Sequence, residues 1–200
     1  MPTFQQAAFR GLHVLLCCLV VTFTLVAGAQ IEDPLPDIPQ GSVAIEIEEI
    51  ASGLASPLGL VQPDDGTGRL FIYDQVGVVY VMQDAMSAPT VFLDLQTRLV
   101  ALSPNYDERG FLGCALHPDF AENPYVYTYT SEPVDGAADF TVDIGGGTMN
   151  HQSVVARWTV SGGDPNQLDL ASREELLRID QPQGNHNGGT MRFGPERLLY

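Results

Sequence analysis

A histidine between two asparagines is the residue in this sequence whose surroundings best suit proton transfer. His186 lies between Asn185 and Asn187 and is followed by Gly188 and Gly189. Because imidazole titrates near neutral pH, His186 could act as a general base on a substrate hydroxyl. The asparagine amides can donate and accept hydrogen bonds, and the glycines leave space for a flat cofactor or a sugar. The residues alone leave a second interpretation open, in which His186 is a turn histidine that caps backbone carbonyls.

The other histidines and the loop acids fit structural roles. His117 lies at the corner between a predicted strand and a turn, and His151 begins a strand, where we expect an edge histidine. No two histidines have the spacing of zinc ligands on one helix or hairpin. Asp135, Asp139 and Asp143 fall in a glycine-rich loop without the spacing of a calcium loop, so we expect solvated acids there. The pattern predicts no metal site among these residues.

Composition excludes several classes of protein. The formal net charge is −16, from 9 basic and 25 acidic side chains, and every basic residue is an arginine. Such a chain lacks the basic face that a nucleic-acid-binding protein needs, so we expect no nucleic-acid partner. Without lysine it cannot form a P-loop, and it has no Gly-x-Ser-x-Gly nucleophile elbow. Twenty glycines and fourteen prolines between β-branched and aromatic runs favour an all-β fold.

A loose internal repeat predicts the architecture. Each unit is a short strand, a turn built on proline and an acid, and a second strand of aromatic and β-branched residues. The units are Leu60–Asp64 leading to Leu70–Tyr73, Ala115–Asp119 leading to Tyr125–Tyr127, and Arg192–Glu196 leading to Leu198–Tyr200. Their prolines are 55 and 77 residues apart, and the second gap contains the glycine-rich insert 133–149. This pattern favours a β-propeller, with about three blades in this chain.

Further elements follow from local patterns. Alternating apolar residues predict a half-exposed strand over 43–48. Strands Tyr125–Thr130 and Val154–Val160 flank the insert, and Ser172, with Glu175 three residues on, indicates a short helical turn over 172–178.

The first 29 residues have the pattern of a secretory signal. Arg10 precedes an apolar stretch that ends in Ala27-Gly28-Ala29, so we expect cleavage before Gln30. The alternative is a membrane anchor, although the stretch is shorter than the ~20 residues that span a bilayer. Residues 30–42 indicate a proline-rich linker, followed by the propeller at 43–200. We therefore expect a secreted or periplasmic protein, free of the membrane after cleavage, with Cys114 as its one remaining cysteine.

The chain ends within a predicted strand. A propeller closes with four or more blades, and open sheet edges are avoided in soluble proteins. We therefore expect these residues to be the N-terminal portion of a longer protein. A complete short protein that closes by oligomerising is the alternative.

Two motifs carry a resemblance to a known family. The first is Asp107–Phe120, followed by Asn123–Tyr127, and the second is Asn185–Gly189, followed by Met191–Pro195. With the weaker segment Gly53–Pro57, they resemble the glucose/sorbosone dehydrogenase family. Its members are six-bladed propellers related to soluble sugar dehydrogenases that use pyrroloquinoline quinone (PQQ). The resemblance covers about residues 50–200.

The resemblance implies roles for five residues. His186 matches the general base that takes the proton of the sugar C1 hydroxyl while hydride passes to PQQ. Glu108 matches a position facing the cofactor pocket, and Arg109, Asn185 and Asn187 would complete the cofactor-binding side. A carboxylate is unusual beside a quinone that carries three carboxylates, so Arg109 would compensate, or Glu108 would pair with Arg109 structurally. The family's calcium ligands and remaining cationic residues would lie beyond residue 200.

The resemblance therefore implies a quinoprotein that oxidises an aldose or related sugar, with an unidentified electron acceptor. Two alternatives use a similar propeller. One is a non-catalytic extracellular binding module of the hedgehog-interacting-protein type. The other is a metal-dependent sugar lactonase, because fold alone does not decide function.

Overall fold

The computed structural model describes residues 41–200, and these residues form two four-stranded antiparallel sheets. The first sheet has the order β1 (Pro57–Val61), β2 (Leu70–Asp74), β3 (Val78–Met82) and β4 (Thr90–Asp94). The second has the order β5 (Phe111–Leu116), β6 (Tyr125–Glu132), β7 (His151–Val160) and β8 (Leu168–Gln181). A single 3₁₀ turn, Gln96–Arg98, lies between the sheets. The all-β prediction is confirmed, and the two sheets have the form of propeller blades.

The sequence repeat corresponds to the first hairpin of each sheet. Val61 pairs with Phe71 in the first sheet, and Leu116 pairs with Val126 in the second. The third repeat forms a short hairpin of the same kind, in which Phe193 pairs with Leu199. The described residues thus contain two complete blades and the opening hairpin of another, rather than three complete blades.

The core lies between the two sheets because their facing strands are apolar. Phe71 of β2 and Phe92 of β4 meet edge to face at 4.7 Å between ring centroids. Trp158 of β7 is buried beside them, and its indole N–H donates to Thr128 Oγ1 at 2.9 Å. The chain has a single tryptophan, so its fluorescence reports on the packing of the second sheet.

The opposite face of the second sheet is covered by the chain that follows β8. The Phe193 ring packs on Tyr127 of β6 at 5.2 Å and on His117 at 6.0 Å between ring centroids. His117 Nδ1 also accepts the backbone N–H of Asp119 at 3.1 Å. His117 therefore lies at a packed turn corner, as its position in the repeat predicts.

Three local predictions are wrong. The predicted helical turn at 172–178 lies inside β8, where Ser172 Oγ accepts the Thr159 backbone N–H at 2.8 Å. This cross-strand bond gives the hydroxyl a partner that local sequence cannot reveal. Residues 43–48 form no strand, and Val43 and Ile47 are exposed because no described strand pairs with them. His151 is not an edge histidine, because β7 lies between β6 and β8.

The predicted signal peptide, and residues 30–40 of the predicted linker, lie outside the described residues. In the described part no helix is long and apolar enough to cross a membrane.

Asp74, at the end of β2, is a fully buried carboxylate that organises the entry to the first sheet. Its oxygens accept the backbone N–H groups of Ala55 at 2.8 Å, Ser56 at 2.9 Å and Val76 at 3.2 Å. We expect Asp74→Asn to lower the free energy of unfolding by about 2 kcal/mol, because an amide offers one acceptor oxygen and a buried backbone donor loses its partner. Urea titration followed by circular dichroism measures this change.

Asp84→Asn is the control for Asp74→Asn, because Asp84 occupies an exposed turn where water replaces lost hydrogen bonds. Equal midpoints for wild type and Asp74→Asn would contradict the assigned role of Asp74.

Candidate active site

The candidate site lies where two connections between sheets meet. The first connection, 95–110, joins β4 to β5 and carries Glu108 and Arg109. The second, 182–191, leaves β8 and carries Asn185, His186 and Asn187. Residues far apart in the sequence therefore meet at one place, as the resemblance predicted for Glu108 and His186.

Glu108 joins the two connections through backbone hydrogen bonds. Its Oε2 accepts the N–H of His186, and the N–H of Asn187 at 3.3 Å. Its other oxygen accepts the Tyr106 hydroxyl. The Tyr106 hydroxyl, and then the His186 amide, hold the pKa of Glu108 below its ordinary value because they stabilise the charged form. Glu108 thus acts as an acceptor for the loop that carries His186.

His186 has a left-handed backbone, with φ of 62°. This conformation is uncommon outside glycine, and asparagine, aspartate and histidine are the residues that tolerate it best. Its side chain is exposed, so it is not buried against apolar residues. The hydrogen bond from its N–H to Glu108 helps to hold this backbone in place.

Arg109 does not pair with Glu108, which corrects one of the two alternatives from the sequence. Its Nε and Nη2 donate to the two carboxylate oxygens of Asp107, at 2.9 and 2.7 Å. Its Nη1 donates to Asn150 Oδ1, and Nη2 also donates to Ala101 O, both at 3.2 Å. The guanidinium charge is therefore already compensated within its own segment.

The Asp107–Arg109 pair predicts a loss of stability in acid. The Arg109 guanidinium holds the pKa of Asp107 far below its ordinary value, although burial opposes this shift. A carboxyl group whose pKa is depressed by folding stabilises the protein above its unfolded pKa of ~3.9 and loses that contribution as pH falls. We expect Asp107→Asn to lower stability at pH 7 by about 1 kcal/mol. It should also flatten the decline below pH 4 in urea titrations, whereas an unchanged acid slope would contradict the pairing.

A shallow pocket of about 320 Å³ lies beside this pair. Tyr106, Glu108, Arg109, Asn150 and Asn185 are among its lining residues. Its only cationic side chain is Arg109, which is bound to Asp107, and Glu108 adds a further negative charge. These residues do not fit PQQ as ligands for its carboxylates, because like charges would repel and no lining cation is free. Within 41–200 no group of three or more His, Cys, Asp or Glu side chains is placed to hold a metal ion.

The two glycines after His186 have different roles. A Cβ on Gly188 would meet nothing within 4 Å, as expected of a glycine that leaves space for a ligand. A Cβ on Gly189 would lie 2.5 Å from Leu112 Cβ and 3.0 Å from Tyr129 Cδ1. Gly189 therefore allows the loop to pack closely against β5 and β6.

Sequence reasoning missed the residues that support this site. Asp107 and Asn150 hold Arg109, and His151 contacts Asn150 through Nδ1 at 3.1 Å. Gly113 of β5 makes the close approach to Gly189. The acid two positions before Arg109 was a usable signal for the ion pair, but the contacts of Asn150 and Gly113 depend on how the sheets pack.

Comparisons with known proteins agree with this geometry. A family model described as Glucose / Sorbosone dehydrogenase matches residues 54–200. Hedgehog-interacting protein from Homo sapiens is 32% identical over 158 residues, which cover 77% of this chain and 21% of that protein. HIPL1 protein from Arabidopsis thaliana is 27% identical, with coverage of 84% of this chain and 28% of the relative.

Solved structures give the same fold. An oxidoreductase of Thermus thermophilus named as a glucose dehydrogenase is 28% identical, with a TM-score of 0.52 over 76% of this chain and 38% of that one. The PQQ-bound aldose sugar dehydrogenase from Streptomyces coelicolor is 24% identical, with a TM-score of 0.56 over 76% of this chain and 39% of that one, and shows the fold alone.

The chain thus spans about a fifth of human Hedgehog-interacting protein and about two fifths of these solved structures. The family model covers most of the chain, and both motifs that carry the resemblance lie inside the match. On these findings, the chain belongs to the glucose/sorbosone dehydrogenase family.

Proposed function

We propose that this chain is part of a secreted or periplasmic dehydrogenase that oxidises the C1 hydroxyl of an aldose or related sugar with PQQ as hydride acceptor. The observation that carries the proposal is the presentation of His186. An exposed imidazole in a left-handed backbone, held by a carboxylate from another connection, suits a base that must meet a substrate from solvent.

The chain's own residues would handle the proton and orient the substrate. His186 would take the hydroxyl proton, because a neutral imidazole accepts protons near pH 7. Asn185 is exposed beside it, and its amide can bind neighbouring sugar hydroxyls. Glu108 would act by holding the His186 backbone, since its oxygens already accept the amides of this loop.

The cofactor would be bound mainly by other residues. Since Arg109 is paired with Asp107 and Glu108 is negative, the cations that hold the PQQ carboxylates, and the calcium ligands, would lie outside this pocket. The roles of Glu108, Arg109 and Asn187 in cofactor binding therefore give way here to roles in holding the loop.

A non-catalytic binding module is the second candidate. It is favoured by the 32% identity to human Hedgehog-interacting protein over most of this chain. Such a module would keep the propeller and the loop geometry without turnover.

The test uses the purified full-length protein supplied with PQQ and calcium. We expect aldose-dependent reduction of an electron-accepting dye, together with a change in the quinone absorption spectrum on binding. A panel of aldoses gives the substrate class, and protein without quinone is the control. If neither dye reduction nor a spectral change occurs, the dehydrogenase proposal fails and the binding module is favoured.

A further inference from the structure

Three buried polar atoms on one face of the second sheet have no hydrogen-bond partner in the described part of the chain. They are His151 Nε2, Ser153 Oγ and Ser131 Oγ. His151 and Ser153 are two residues apart on β7, and Ser131 of β6 pairs with Ser153, so all three side chains point to the same face. Buried polar atoms are normally satisfied, so this group requires an explanation.

This face lies under the segment that carries His186. Tyr127 and Tyr129 alternate with Ser131 on the same face of β6, and Phe193 packs on Tyr127. A Cβ on Gly189 would lie 3.0 Å from Tyr129 Cδ1. The segment 184–193 therefore runs over the face that holds the three unpartnered atoms.

The opposite edge of the His151 ring fixes its tautomer. Arg109 Nη1 donates to Asn150 Oδ1 at 3.2 Å, which identifies that atom as an acceptor. The same oxygen lies 3.1 Å from His151 Nδ1, so Nδ1 must carry the proton. In the neutral ring Nε2 is then an acceptor that needs a donor. Burial lowers the pKa of His151, and the charge of Arg109 lowers it further, which favours this neutral form.

The side chain of Asn187 is the donor available. Its Nδ2 donates to Gly184 O at 3.0 Å, which uses one of its two protons. The Asn187 amide also faces His151 closely enough to influence the pKa of the imidazole, although Nε2 has no partner at hydrogen-bonding distance.

We propose that His151 is a positioning residue, whose Nε2 accepts the second proton of the Asn187 amide and so anchors the His186 loop from below. Glu108 holds the same loop through the backbone N–H groups of His186 and Asn187. The series Asp107–Arg109–Asn150–His151 therefore connects the ion pair to the loop. This role deepens the proposed function, since it concerns the loop that presents the base, but its test needs no turnover.

Hydrogen exchange of the full-length protein tests the proposal through the two backbone N–H groups that Glu108 accepts. In His151→Asn the side chain can reach Asn150 but not the Nε2 position, whereas in His151→Gln the amide reaches the Nε2 position. We expect peptides covering 184–189 to exchange about tenfold faster in His151→Asn, as for loss of one buried hydrogen bond, and within about twofold of wild type in His151→Gln. Ser153→Ala is the control and should leave this segment unchanged.

Equal acceleration in both histidine variants would mean that the ring only fills space, and no acceleration in either would mean that Nε2 holds nothing. Either result overturns the proposal. Trp158 fluorescence verifies that each variant is folded, and Asn187→Ala, which leaves His151 in place, should reproduce the faster exchange if a histidine variant fails to fold. Since neither sugar nor quinone is present, the expected exchange pattern in an inactive protein would refute the proposed function alone.

Discussion

Replacing His186 with glycine is expected to lower the kcat of aldose-dependent dye reduction by about 10²- to 10⁴-fold, the usual contribution of a general base. Glycine is preferred to alanine here because the His186 φ of 62° costs glycine nothing and strains alanine. The variant therefore removes the imidazole while keeping the loop backbone, and its thermal midpoint should equal or slightly exceed that of wild type. Dye-reduction kinetics and thermal melts on the full-length protein measure both effects.

Arg197→Gly is the matched control for the His186 variant. Arg197 is the other non-glycine residue of the described chain with a positive φ, at 67°, and it lies in the turn of the Arg192–Tyr200 hairpin. The same backbone relief without loss of the imidazole should leave kcat unchanged. Full activity in His186→Gly would remove His186 as the base, even if dye reduction itself is observed.

Replacing Gly113 with alanine is expected to lower the free energy of unfolding by about 3 kcal/mol, at the upper end for an overpacked site. A Cβ at this position would overlap the carbonyl oxygen of Gly189, which is backbone and cannot rotate away. The strand β5 or the His186 loop must therefore move, and we also expect dye reduction to fall. Urea titration monitored by Trp158 fluorescence measures the change.

Gly188→Ala is the control for Gly113→Ala. A Cβ at Gly188 meets nothing within 4 Å, and its backbone is not in the left-handed region. We expect a change of less than about 0.5 kcal/mol, as for most surface substitutions. If both alanine variants are equally stable, the close packing of β5 against the loop is not required for folding.

Local patterns were sufficient for much of the fold but failed where side chains bond across strands. The hairpins were predictable because proline, an acid and alternating β-branched residues act within a few positions. Ser172 resembles a helix cap by the same local criteria, yet its hydroxyl bonds to Thr159 on the neighbouring strand. The strand predicted at 43–48 failed because alternation alone supplies no pairing partner.

The candidate site was predicted in its members but not in their roles. The motifs named Glu108, Arg109, Asn185, His186 and Asn187, and the structure brings Glu108 to the His186 loop. It shows Arg109 bound to Asp107 instead of free to bind a quinone carboxylate. Because this pairing is local, the sequence contained it, whereas the link from Arg109 through Asn150 to His151 required the fold.

The sequence by itself determined the all-β class, the repeated hairpin and the residues in which to look for chemistry, because turn dihedrals and strand alternation depend on neighbouring residues. Only the tertiary structure decided that Glu108 holds the amide of a residue 78 positions away, and that Gly113 and Gly189 touch. These contacts arise from the packing of connections between separate sheets, and sheet packing is set by the whole core rather than by any short segment.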